Sequence, residues 1–129
     1  MERLALKYQD AKNAVQTLTD ILKEHYSVII RDATIQRFKY TFEAVWKFLK
    51  EYLKEKEGII SASPKSCFRE IFGLGLLNEN ETNQFLEMTD RRNETSHTYK
   101  QAVSEEIYRH ITRYCNLLQG LLPRFNGKV

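Results

Sequence analysis

Thr34-Ile35-Gln36-Arg37-Phe38-Lys39-Tyr40-Thr41-Phe42-Glu43-Ala44-Val45-Trp46-Lys47-Phe48-Leu49-Lys50-Glu51-Tyr52-Leu53 sets Ile35, Phe38, Phe42, Val45, Leu49 and Tyr52 at alternating steps of three and four. That spacing returns each side chain to one face of an α-helix, so the stretch reads as a helix buried along its length. Trp46 and Leu53 widen the apolar face, and Asp32 or Thr34 stands where an N-cap is expected. Gly58 suits the position just past the end, where a left-handed backbone is common.

The pattern repeats on both sides. Upstream, Leu4, Tyr8, Ala11, Val15, Leu18, Leu22 and His25 predict a helix from about Glu2 to His25. Downstream, Ser63-Pro64 reads as a cap followed by proline at the first helical position. It opens a short helix through Phe68, Ile71 and Phe72 that Gly73-Leu74-Gly75 closes. Asn78 with Glu81 has the form of a capping box before Phe85, Leu86 and Met88. A last helix is expected after Ser104, with Glu105 and Glu106 in its first turn and Ile107, Ile111, Tyr114, Leu118 and Leu121 buried before Pro123. The expected fold is all-α: one domain over residues 1–129, an up-and-down antiparallel four-helix bundle with one additional short helix.

Composition agrees. In 129 residues there are only two prolines, 42% of residues are hydrophobic and 29% charged, the profile of a globular chain and not of a disordered one. A net charge of +3 is too mild for a general nucleic-acid coat, so any basic surface must be local. Charged residues interrupt the N-terminal segment and no uncharged run is long enough for a membrane span, which predicts a cytoplasmic protein with no membrane partner. Cys67 and Cys115 lie in apolar helical surroundings without a CxxC pairing, so neither zinc nor a redox couple is indicated. No Gly-rich phosphate loop, GxSxG elbow or HExxH occurs, and no metal or other cofactor is expected.

Reactive side chains concentrate in one place, Met88-Thr89-Asp90-Arg91-Arg92-Asn93-Glu94-Thr95-Ser96-His97-Thr98-Tyr99-Lys100. A guanidinium at Arg92 clamps phosphate oxygens in a bidentate fashion, and an imidazole at His97 moves protons near neutral pH. Asn93 and Tyr99 stand ready to orient the group under attack. On an ideal helix Arg92 and His97 lie about 140° apart, and Asn93 and His97 about 40°. Arg92 and His97 therefore converge only if the helix ends or distorts before His97, if the side chains curl around it, or if two subunits bring their copies together. A frayed helix combined with a two-fold pairing is the favoured route. Placed at a helix C-terminus, His97 meets the negative pole of the macrodipole, which favours a general-acid role. The plainer reading has Arg91 and Arg92 paired with Asp90 and Glu94 on a solvated face, and His97 capping carbonyls.

Other candidates weigh less. Lys39, Lys47, Lys50 and Lys54 form a possible track for RNA phosphates, although interleaved Glu43 and Glu51 favour ordinary i,i+4 pairing. Glu43 joins the site if it points toward Arg92. Trp46, Tyr8, Tyr26, Tyr40, Tyr52, Tyr108 and Tyr114 mostly fall on or beside apolar seams and read as packing residues, with His25 and His110 structural.

Arg92-Asn93-Glu94-Thr95-Ser96-His97 followed by Thr98-Tyr99 resembles the signature of HEPN domains, and within them the nucleotidyltransferase substrate-binding proteins. The likeness continues through Arg37-Phe38, Phe42-Glu43, Trp46-Lys47, Ser63-Pro64 and Gly75-Leu76-Leu77 in order, covering Asp32 to Leu122. It implies a helical bundle that forms a homodimer with the motifs facing one cleft. It also implies a metal-independent ribonuclease toxin with Arg92 and His97 catalytic and Asn93 orienting. The implied partner is a separately encoded minimal nucleotidyltransferase, the antitoxin, which attaches AMP to a tyrosine at the place of Tyr99. The alternative it leaves open is a non-catalytic subunit that binds a nucleotide or substrate for that enzyme.

Overall fold

The computed structural model describes residues 2–129. Five α-helices follow in order: α1 (Glu2–Ile21), α2 (Val28–Tyr52), α3 (Pro64–Gly73), α4 (Glu79–Glu94) and α5 (Gln101–Leu121). A wider π-type turn, Leu53–Glu57, extends α2, while tighter 3₁₀ turns follow α4 at Thr95–His97 and α5 at Leu122–Phe125. No strand occurs among the described residues, so the all-α bundle expected from periodicity is the observed fold.

Cross-helix contacts fix the directions. Arg3 pairs with Glu51, and Thr41 Oγ1 donates to the Ala14 carbonyl, so α1 and α2 run antiparallel. Arg113 meets Gln84 and Glu87 whereas Arg124 meets Glu81, so α4 and α5 do the same. Arg31 meets Gln101 and Phe38 stacks on Tyr114, which leaves α2 and α5 parallel. The short α3 packs between α2 and α4 through Phe68, whose ring lies 6.0 Å from Phe42 and 4.8 Å from Phe85.

The core is the seam read from sequence, with one addition. Ile35, Phe38, Phe42, Val45, Leu49, Tyr52 and Leu53 are all buried, as is Phe48, which meets Tyr8, Tyr52 and Phe125. Aromatic packing of this kind adds roughly 0.5–1.5 kcal/mol per pair beyond area burial. Among the described residues no helix is long and apolar enough to cross a membrane.

Local capping matches expectation at three points. Ser63 accepts from the Ser66 amide with Pro64 behind it, Asn78 and Glu81 close a reciprocal box, and Gly58 adopts φ +67°. Three boundaries differ. Helix α1 stops at Ile21, where i→i+3 bonds from Lys23 and Glu24 tighten the end and leave His25 exposed. Helix α2 begins at Val28, capped by Ser27 Oγ accepting from Ile30 N at 3.0 Å, so Asp32 and Thr34 lie inside it. Helix α5 begins at Gln101, since Ser104 is buried with its hydroxyl donating to the Thr98 carbonyl at 2.8 Å.

Glu81 couples the α4 cap to the turn after α5: Arg124 holds both its carboxylate oxygens, at 2.9 and 2.6 Å. With the Asn78 amide adding to it, this keeps the carboxyl down at about 2. A depressed carboxylate stabilises the fold fully above its unfolded value and loses that contribution as pH falls through the folded one. Glu81→Gln is expected to cost about 1–2 kcal/mol near neutrality. Denaturant titrations should show the gap from wild type closing as pH drops from about 4.5 toward 2.

Candidate functional site

The last turn of α4 carries Arg92 across to α2. Its Nη2 donates to Glu43 Oε1, while Glu43 Oε2 accepts from Trp46 Nε1 at 3.2 Å and lies 4.0 Å from Lys47 Nζ. Glu43 thus points toward Arg92 and not into water. The two side chains are 28% and 30% exposed, so the pair sits at a rim that solvent reaches. One Arg92 nitrogen, Nε, has no hydrogen-bond partner among the described residues.

The neighbouring arginine behaves as the plainer reading expected. Arg91 pairs with Glu94 at 2.5 Å along its own helix. Asp90, however, binds Lys65 of α3 at 2.8 Å, so neither acidic neighbour in sequence holds Arg92.

Hydroxyls end the helix. The last carbonyls of α4 have no partner within it, and Thr95 Oγ1 donates to the Arg92 carbonyl at 2.6 Å while Ser96 Oγ reaches that of Asn93 at 3.2 Å. The backbone then tightens into the 3₁₀ turn, and Lys100 N donates to the His97 carbonyl at 3.1 Å. The helix therefore ends before His97, one of the three routes weighed from sequence. Within one chain the structure does not join Arg92 to His97. Asn93 and His97 are exposed, and the His97 ring lies edge-on to Tyr99 at 6.1 Å. Tyr99 is 72% exposed, with Lys100 Nζ 5.8 Å from its ring. A hollow of about 320 Å³ lies beside this junction, lined by Asp32, Ile35, Gln36, Lys39, Thr95 and Thr98; neither Arg92 nor His97 is in that lining.

Two polar clusters tie together the helices that flank the junction. At the head of α2 the buried Arg31 guanidinium binds Asp32 at 3.0 Å, Glu105 at 2.8 Å and Gln101 at 2.6 Å. Sequence reading passed over Arg31, although the apolar seam carried back four residues from Ile35 lands on it. Along α4 and α5, Glu87 accepts from Tyr114 and Arg113, both at 2.5 Å, and these bonds hold its carboxyl below the usual range. His110 lies between Glu106 at 3.0 Å and Arg113 at 3.1 Å, which fits a structural histidine. Burial pushes the Cys67 and Cys115 thiols up, so neither is a ready nucleophile.

The sequence and the helical fold together match a known class. The chain belongs to the family described as nucleotidyltransferase substrate binding protein like, whose model matches residues 6–126. It is similar to a protein from Thermus thermophilus of known crystal structure, at 43% identity and TM-score 0.84, covering 88% of this chain and 97% of that one. A chain from the crystal structure of a mutant MntA-HpeT toxin–antitoxin shares the fold at TM-score 0.80 with 11% identity, covering 98% of this chain and 99% of that one. Comparison with curated proteins found no match.

Because the Arg92–Glu43 pair is part-exposed, its worth in stability is small, about 1 kcal/mol or less. Glu43→Gln should lower the urea midpoint by a corresponding amount, and Glu94→Gln should leave it within about 0.5 kcal/mol of wild type. Equal effects of the two would mean that Glu43 does not fix Arg92 in solution.

Proposed function

We propose that the chain is a HEPN-type, metal-independent ribonuclease that works as a homodimer and is silenced by a minimal nucleotidyltransferase. The observation that carries this reading is Arg92 held at the rim by Glu43, beside the exposed turn presenting Asn93, His97 and Tyr99. An arginine anchored through one nitrogen keeps other N–H groups for a phosphate, and fixing it beforehand lowers the cost of organising the site.

In this mechanism the 2′-oxygen of RNA attacks the adjacent phosphorus. A new O–P bond forms, the bond to the 5′-oxygen breaks, and a cyclic phosphate and a free 5′-hydroxyl result. Arg92 neutralises the charge building on the pentacoordinate phosphorane, and Asn93 orients it. His97 handles the proton: an imidazole takes it from the 2′-hydroxyl and an imidazolium delivers one to the leaving 5′-oxygen. Two roles for one residue type suit two copies across a two-fold axis. Exposed Tyr26, Val28 and Ile29 at the same end of the bundle as Tyr99 offer apolar surface for that pairing.

Silencing uses Tyr99. Its phenolic oxygen attacks the α-phosphorus of ATP in the partner's active site, forming Tyr-O–AMP and releasing pyrophosphate, with the phenolic proton passing to a base there. High exposure of the ring fits that access. A second reading, a subunit that holds a nucleotide or substrate for the nucleotidyltransferase without cleaving, is favoured by the family's description and by the separation of Arg92 from His97 within one chain.

Expression of the wild type is expected to arrest growth, and the purified protein to cut RNA in the presence of chelator. His97→Ala should lower cleavage by about 10²–10⁴-fold at unchanged fold and protein level. Binding to the nucleotidyltransferase without any cleavage would select the second reading. Incubation with the partner and ATP should add the mass of AMP to wild type and not to Tyr99→Phe; labelling that persists in the variant removes Tyr99 from the site.

A further inference from the structure

Away from the α4–α5 junction, the faces of α1 and α2 enclose a second hollow of about 370 Å³, lined by Arg3, Lys7, Lys47, Lys50, Lys54 and Glu51. Five cations stand against one carboxylate there, an excess of four in a chain whose whole net charge is +3. The carboxylate is already engaged, with Glu51 Oε1 accepting from Arg3 Nε at 2.9 Å. The pairing of lysines with interleaved glutamates expected from sequence is seen only for Lys47 with Glu43, at 4.0 Å, among the described residues. Lys50 and Lys54 instead face the hollow.

This groove joins the arginine site. Glu43, Lys47, Lys50 and Lys54 fall within a stripe of about 60° on an ideal helix, running roughly 16 Å along α2 and into the π-type turn that extends it. Contacts trace the same line: Arg92 to Glu43, Glu43 to the Trp46 ring nitrogen, and Lys50 Nζ 5.6 Å over the Trp46 ring. Trp46 is only half-buried, and its side chain contacts both Glu43, the partner of Arg92, and Lys50 of the groove. Cations in a row with an accessible aromatic ring between them form the pattern that tracks a single-stranded phosphodiester backbone while one base stacks.

We propose that the Arg3–Lys7–Lys47–Lys50–Lys54 groove binds the phosphates of single-stranded RNA flanking the bond placed at Arg92. The proposal rests on the reading of the chain as a ribonuclease and extends it to how the substrate strand lies on the protein. It also accounts for a basic patch on a nearly neutral chain, since α4, which carries the motif arginine, holds more acidic than basic residues and attracts no polyanion itself.

The test measures binding of labelled oligouridylate to the His97→Ala protein across a salt series, with and without Lys47→Gln, Lys50→Gln and Lys54→Gln together. Each phosphate no longer neutralised should flatten the slope of log K against log salt by about 0.7, so the triple change should remove about 2 and weaken binding on the order of tenfold or more. Lys128→Gln, an exposed lysine outside the groove, should leave the slope unchanged. Lys47, Lys50 and Lys54 are exposed, and helical content and melting temperature of the triple variant should match the parent. An unchanged slope in the triple variant, with RNA cleavage by wild type intact, overturns the groove and leaves the ribonuclease reading standing. An absence of both RNA binding and cleavage in wild type overturns both. Normal RNA binding with loss of the nucleotidyltransferase complex overturns the proposal in favour of a protein-docking face.

Discussion

Everything in this bundle is referred to the apolar stripe of α2. Phe38, Phe42, Phe48 and Leu49 are fully or almost fully buried, and α1, α3, α4 and α5 all pack against that helix. Removing such side chains from water supplies the main favourable term in folding, and close packing makes the geometry stiff. The rim residues on α2 inherit that stiffness. Glu43 follows Phe42 directly and Trp46 follows Val45, so the acceptor that holds Arg92 is tied to the most rigid part of the molecule.

The opposite half of the site is built differently. Beyond Glu94 the chain is held by hydroxyls donating to carbonyls, with Thr95 and Ser104 buried and Ser96, His97, Tyr99 and Lys100 exposed. Few apolar contacts restrain such a segment, and regions of that kind open at low free-energy cost. One half of the candidate site is thus anchored in the core, and the other is presented to solvent.

Sequence legibility followed range. The Asn78–Glu81 box, the Ser63–Pro64 start and the Gly58 stop depend on atoms a few residues apart, and each is present as read. The apolar seams were legible because the helical period repeats. One local signal was passed over, the Ser27 cap, which lies three residues from the Ile30 amide it accepts from and ahead of the exposed Val28 and Ile29. Arg31 is buried because Gln101 and Glu105, at least seventy residues away, receive it. Spacing likewise had no means of bringing Arg92 to Glu43, forty-nine positions apart; the motif told which side chains to watch, and tertiary packing decided where one of them points.

The two sulfhydryls, placed deep in the packing with burial holding them protonated, have a practical consequence. Both native sulfurs are slow toward maleimides and nitroxide reagents, so a third cysteine engineered on the surface becomes the dominant attachment point without prior removal of the others. A spin label carried there turns the protein into its own ruler, reporting the spacing between subunits in whatever assembly it adopts.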